Sequence, residues 1–225
     1  MNKFDTYVAQ NRLDLVRRTT VVEGYVFSRL DTKAILEQGS IRHLDCKNVC
    51  EVRNINRAWN WVCSPKVYSE GILEELHSIV SEDVISVPWL EGTFRTEKSP
   101  ITISCSTYVP PLTTRLEALR EFESKLSYVI GILRSNQSKE SKITSCLQFY
   151  IFLMKRQYFI DANKRTAYLF VNSLLRDFGL NVILLLPKLS SYDTFNLKLK
   201  HYYEGDDKNG RLLVSYIKRY YIVKL

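Results

Sequence analysis

Apolar side chains recur at helical spacing along most of this chain. In 51–62 (EVRNINRAWNWV), Val52, Ile55, Trp59 and Val62 share one face, which predicts an amphipathic helix. The stretch 69–80 repeats the pattern with Ile72, Leu73, Leu76 and Val80, and Ser69 is placed to cap it. Between about 84 and 111 the texture changes: Thr, Ser, Ile and Val alternate in SPITISCSTYV, and Gly92, Pro100 and Pro110-Pro111 punctuate it. That pattern predicts an extended hairpin or flap. A helix over 113–134 and a polar loop over 135–142 follow. The stretch 143–156 is apolar nearly all round, as expected of a helix at the centre of a domain. A helix over 163–178 carries Ala167, Phe170, Val171, Leu174, Leu175 and Phe178 on one side, with Gly179 placed to stop it. A short apolar run at 182–186, a Tyr-rich stretch, a charged turn at 204–211 and a last amphipathic helix complete the chain.

Composition narrows the class. The 225 residues are 45% hydrophobic and 12% aromatic, enough to build a core and too apolar for a disordered chain. The longest nearly apolar run, 146–154, is about half of a membrane-spanning helix, and the first residues carry no apolar stretch of signal-peptide length. A cytoplasmic protein without membrane contact is the expectation. The five cysteines, at 46, 50, 63, 105 and 146, form no CxxC pair, so reduced thiols are expected. Cys46 and Cys50 with His43 fall short of a four-ligand metal site.

Lys and Arg number 32 against 24 Asp and Glu, giving a net charge of +8. The excess is spread in small clusters such as Arg17-Arg18, Lys155-Arg156 and Lys164-Arg165. No run or motif of a specific nucleic-acid binder accompanies it. It suits either an anionic ligand or a solvated surface.

The chemistry concentrates in 157–166, QYFIDANKRT, between the two most apolar helices. Asn163 is placed to cap the helix that follows. The first amides of that helix with a nearby Arg165 would form an anion site, and Asp161 is a hard oxygen ligand apt for one position on Mg²⁺. From the residues alone a capped interhelical turn with solvated Lys164 and Arg165 is the favoured alternative.

The residue order resembles the signature loop of the Fic/Doc (Fido) family, His-x-Phe-x-Asp/Glu-Gly/Ala-Asn-Gly/Lys-Arg. Phe159, Asp161, Ala162, Asn163, Lys164 and Arg165 match it. Further weak matches fall in the family's order: Glu51-x-x-Asn54-x-x-x-Ala58, ILEELH at 72–77, GTFRT at 92–96, TYVPP at 107–111 and HYYEGD at 201–206. The resemblance covers about 19–220. It implies a mainly helical, all-α domain at 46–225 with a small β-hairpin flap, preceded by a helical segment at 1–45.

The resemblance also implies an activity: transfer of AMP, or phosphate in Doc-type relatives, from ATP to a hydroxyl of a target protein. Asp161 would hold Mg²⁺. Asn163 and Arg165 would hold the nucleotide phosphates, with the amides around Ala162 to Lys164 as an anion hole. A target protein would lie along the flap, with Arg95 and Thr96 at its start.

Two departures matter. The family's histidine, which takes the proton from the target hydroxyl, is Gln157 here, and an amide cannot act as a general base. The remaining histidines are His43, His77, read as structural, and His201. Where AMP-transferring relatives often carry a second arginine, this chain has Tyr168, either a core aromatic or a nucleotide contact. Finally, 19–24, TTVVEG, fits the family's inhibitory pattern Ser/Thr-x-x-x-Glu-Gly/Asn, which casts Glu23 as inhibitory. With Tyr168 in place of its usual partner, Glu23 would face Arg165 or serve structure alone. A transferase and a catalytically impaired nucleotide- or partner-binding protein are therefore both expected readings.

Overall fold

The computed structural model describes residues 2–21, 27–42, 44–103 and 106–225. Glu23 and Gly24 of the inhibitory pattern, His43 and Cys105 lie outside the described residues. The helices are α1 (Lys3–Val21), α2 (Arg29–Gln38), α3 (Cys46–Cys63), α4 (Ile72–Ser81), α5 (Arg115–Arg134), α6 (Lys139–Arg156), α7 (Asn163–Asp177), α8 (Tyr192–Glu204) and α9 (Arg211–Tyr220). Strands β1 (Val182–Leu184) and β2 (Ile222–Lys224) pair antiparallel, Ile183 opposite Val223.

The fold class is the expected one, mainly helical with one small antiparallel pair. The strands stand elsewhere than the alternation at 84–111 predicted. The described residues of 92–111 run as turns and irregular chain, and the pair is made by Val182–Leu184 with Ile222–Lys224. Asn172 explains the docking of β1 on α7. Its amide donates to Leu184 O at 3.1 Å and accepts from Leu184 N at 3.0 Å, so a buried side chain supplies ladder bonds.

Helix α7 is the centre. Leu169, Phe170, Val171, Leu174 and Leu175 are buried on it, in contact with α6, α3 and α4, while α1 packs on α3. Some caps differ from expectation. Gly71, in the left-handed region, precedes α4 in place of Ser69. Gly179, with φ +62°, follows α7 as the spacing required. The four described cysteines are free. Among the described residues no helix is long and apolar enough to cross a membrane.

Candidate active site

The turn between α6 and α7 is held from both sides. Gln157 closes α6 in the left-handed region, φ +50°, with its N–H donating to Leu153 O. Ala162 precedes α7 in the same region, φ +57°, and provides no side-chain cap. Asn163 is the first helical residue rather than the cap. Its Oδ1 accepts from Phe159 N at 2.8 Å and its Nδ2 donates to Phe159 O at 2.7 Å. One buried amide thus satisfies both backbone groups of Phe159 and folds the loop back on itself.

Phe159 is buried and stacks on His77, centroids 3.7 Å apart. His77 Nε2 bonds Asp161 O at 3.1 Å, and Gly92 N donates to Nδ1 at 3.0 Å. Burial pushes the His77 pKa down to about 4. Gly92 has φ +67°, and a Cβ there would stand 2.9 Å from Ser78 Cβ, so only glycine brings the chain this close to α4. His77 is therefore structural, joining α4, residue 92 and the loop.

Beside this loop lies a cavity of 240 Å³, walled by Gln157, Ile160, Asp161, Ala162, Asn163 and Lys164 on one side and 101–103 on the other. Asp161 Oδ1 accepts from Ala162 N at 2.5 Å, and Oδ2 bonds no described residue. The N-terminus of α7, without a capping side chain, opens at the same place. Gln157 Nε2 donates to Met154 O at 2.6 Å, which fixes the amide in the wall. A larger cavity of 630 Å³, between Arg17, Arg18, Phe27, Pro187, Lys188 and Ser190, is lined by none of these loop residues and borders residues outside the described set.

Residues 67–175 match the family described as Fic/DOC. This chain carries a Fic/DOC-family domain. Solved structures agree on the fold. The Caenorhabditis elegans Fic-1 fragment (aa134–508) superposes with a TM-score of 0.66 at 22% identity, covering 96% of this chain and 65% of that one. A Fic domain containing signaling protein from Bacteroides thetaiotaomicron gives 0.70 at 13% identity, covering 96% and 84%. A Fic family protein from Desulfovibrio desulfuricans gives 0.63 at 15%, covering 93% and 61%. This chain therefore spans less than two thirds of the worm fragment. No curated protein sequence matches significantly.

Within the Fic/DOC domain, three expected site residues stand apart from the cavity. Arg165 is 1% exposed and its guanidinium pairs with Glu51 of α3, inside the core rather than in the cavity wall. Tyr168 is fully buried, edge-on to Trp59 at 5.7 Å, with Arg18 and Thr19 of α1 beside its phenol. It packs as a core aromatic, and burial drives its pKa far above the usual phenol value. Arg95 is buried and bonded to main-chain carbonyls, so it does not present itself to a target. Thr96 is half-buried and accepts from Lys98 N at 3.3 Å. His201 is exposed and pairs with Asp206 at 2.8 Å.

Glu51 is the site-supporting residue that periodicity overlooked. Positions 51, 55, 58 and 62 lie on one helix face, so a carboxylate in register with Ile55, Ala58 and Val62 announces a buried partner.

Proposed function

We propose that this Fic/DOC domain holds the phosphate end of ATP with Mg²⁺ in the Gln157–Lys164 cavity, and that it is impaired in transferring AMP or phosphate to a target hydroxyl. The observation that supports this is the company Gln157 keeps. It stands in the cavity wall with Asp161 and the uncapped start of α7, and its amide nitrogen is committed to Met154 O.

The donor set fits the group. Asp161 Oδ2 offers one hard oxygen, and among the described residues no cluster of three or more His, Cys, Asp or Glu could take a metal by itself. Phosphate oxygens and water would complete the coordination, as is usual for Mg²⁺. When bound, the ion supplies charge neutralisation for the phosphates. The amides at the start of α7 and the Lys164 ammonium would do the same from the protein side. A cavity of 240 Å³ is below the usual range of about 300–1,000 Å³ for a small-molecule pocket. It suits phosphates, with the nucleoside lying outside it.

The step the chain serves poorly is proton removal. A hydroxyl attacking phosphorus must shed its proton, and an amide does not accept one near neutrality. Such a base contributes about 10²–10⁴-fold. The target would lie along 96–110, whose described residues belong to no strand. Helix α1, which leads into the inhibitory pattern, ends beside Tyr168, so a restraining Glu23 belongs to the same proposal.

Calorimetry with MgATP, beside incubation with α- and γ-labelled ATP, tests the reading. Mg²⁺-dependent binding with little label transfer is expected, with binding lost in Asp161→Ala and transfer raised in Gln157→His. The label that appears separates AMP from phosphate transfer, and Glu23→Gly added to Gln157→His should raise it further. No MgATP binding by the wild type would end the proposal.

A further inference from the structure

The segment 96–110 leaves and re-enters the core beside the phosphate loop, and one side chain joins both ends to it. Arg95 is 5% exposed. Its main-chain N–H donates to Tyr158 O at 2.8 Å. Its Nε donates to Gln157 O, and its Nη2 to Pro111 O at 3.0 Å and Arg156 O at 3.4 Å. Residue 95 is where the segment departs and residue 111 where it returns. Carbonyls 156–158 are where α6 hands over to the loop.

The acceptors explain why an arginine stands there. The last carbonyls of α6 have no intrahelical donor and lie at the negative end of the helix dipole. A planar guanidinium offers donors in a fixed fork that can meet several carbonyls together, whereas a lysine ammonium is a point charge. The neighbouring contacts brace the same root. Glu74 of α4 accepts from Phe94 N at 3.1 Å and pairs with Arg115 at 2.7 Å, and Phe94 stacks on Tyr158 with centroids 4.9 Å apart. Beyond residue 95 the contacts are of another kind. Ser99 N bonds Thr96 O within the segment. Glu204 of α8 accepts from Thr107 N at 3.1 Å and from Ser106 Oγ at 3.2 Å, and Tyr108 stacks on Tyr203 with centroids 5.7 Å apart.

We propose that Arg95 is a positioning residue. It sets residues 96–103, of which 101–103 wall the Gln157–Lys164 cavity, and couples occupancy of that cavity to order in the described parts of 96–110. The first part stands on geometry alone; the coupling rests on the phosphate reading above. A ligand that shifts the loop moves carbonyls 156–158, and Arg95 carries the shift to both ends of the segment.

Hydrogen exchange by mass spectrometry on the full chain tests it, with wild type, Arg95→Lys and Arg95→Gln, each alone, with MgATP and with magnesium pyrophosphate. Without ligand, both variants should speed exchange over 96–110 by about tenfold while the amides of α3 and α7 stay within about twofold. With MgATP the wild type should gain protection over 96–110. Arg95→Lys should bind and gain none there. Unchanged exchange in both variants, or an equal rise throughout the molecule, would overturn the positioning role. Wild-type exchange in Arg95→Lys would overturn the fork. Equal ligand-induced protection in wild type and Arg95→Lys would overturn the coupling. A wild type that binds neither probe sinks the phosphate reading and the coupling, and the ligand-free comparison still decides the positioning role.

Discussion

His77 takes a hydrogen bond at Nδ1 from Gly92 N and faces Asp161 O with Nε2, so the fold requires the neutral tautomer with its proton on Nε2. Its pKa of about 4, against 6.5 in an unfolded chain, has burial as the main cause. Between those values the unfolded state binds the proton and the folded state does not, so stability falls as pH falls. The contribution is whole above about pH 6.5 and is lost toward pH 4, with an upper size of about 3 kcal/mol. Urea unfolding of wild type and His77→Gln should show a stability gap that narrows on going from about pH 7.5 to about pH 4.5. A gap independent of pH would refute this. Ala162 is a second residue with a local cost, since φ +57° is strained for any side chain. Ala162→Gly should stabilise by about 1 kcal/mol, raising the thermal midpoint by about 2–4 °C.

At the scale of elements, the apolar pattern disclosed α3 to α7, although α6 begins at Lys139, inside the polar stretch 135–142 that reads as a loop, because Ser138 caps it there. The caps were less legible. Ser69 and Asn163 have the chemistry of caps, yet Gly71 and Ala162, both left-handed, take those places. Asn163 is instead consumed by Phe159, which no window of sequence shows. The strand pairing escaped for the same reason: β1 and β2 are joined only after α8 and α9 intervene, and alternation at 84–111 reports extended chain, not a partner. At the site, the loop residues that wall the cavity were legible as a motif. The burial of Arg165 and Tyr168 was not, since it depends on Glu51 and on α1. Asn163→Ala would leave the Phe159 N–H and C=O buried without their bonds, at a cost of about 2–4 kcal/mol. Chemical denaturation should register that loss, and exchange of the 157–162 amides should accelerate beyond it. A loss below about 1 kcal/mol would mean that water substitutes for the side chain.

Across the whole molecule, α1 is part of the same core as the Fic/DOC domain. Phe4, Val8, Leu15 and Val16 belong to one continuous apolar cluster with Trp59 of α3 and Leu169 of α7. Arg176 of α7 holds Asp5 of α1 through two bonds, at 2.7 and 3.1 Å, and Tyr168 is sealed beneath the end of α1. A helix attached in this way should melt with the domain rather than before it. Leu15, 1% exposed, provides the test. Leu15→Ala should cost about 2–5 kcal/mol, and the whole loss should appear in one transition. Helix content by circular dichroism and the tryptophan fluorescence, to which buried Trp59 and Trp61 contribute, should then share a midpoint, lowered equally, with the urea dependence unchanged. Were α1 an appendage, Leu15→Ala would release helix signal early while the tryptophan signal kept its wild-type midpoint. Coupling of this kind has a consequence for the site, because whatever loosens α1 also uncovers Tyr168, one turn along the helix whose first residues wall the cavity.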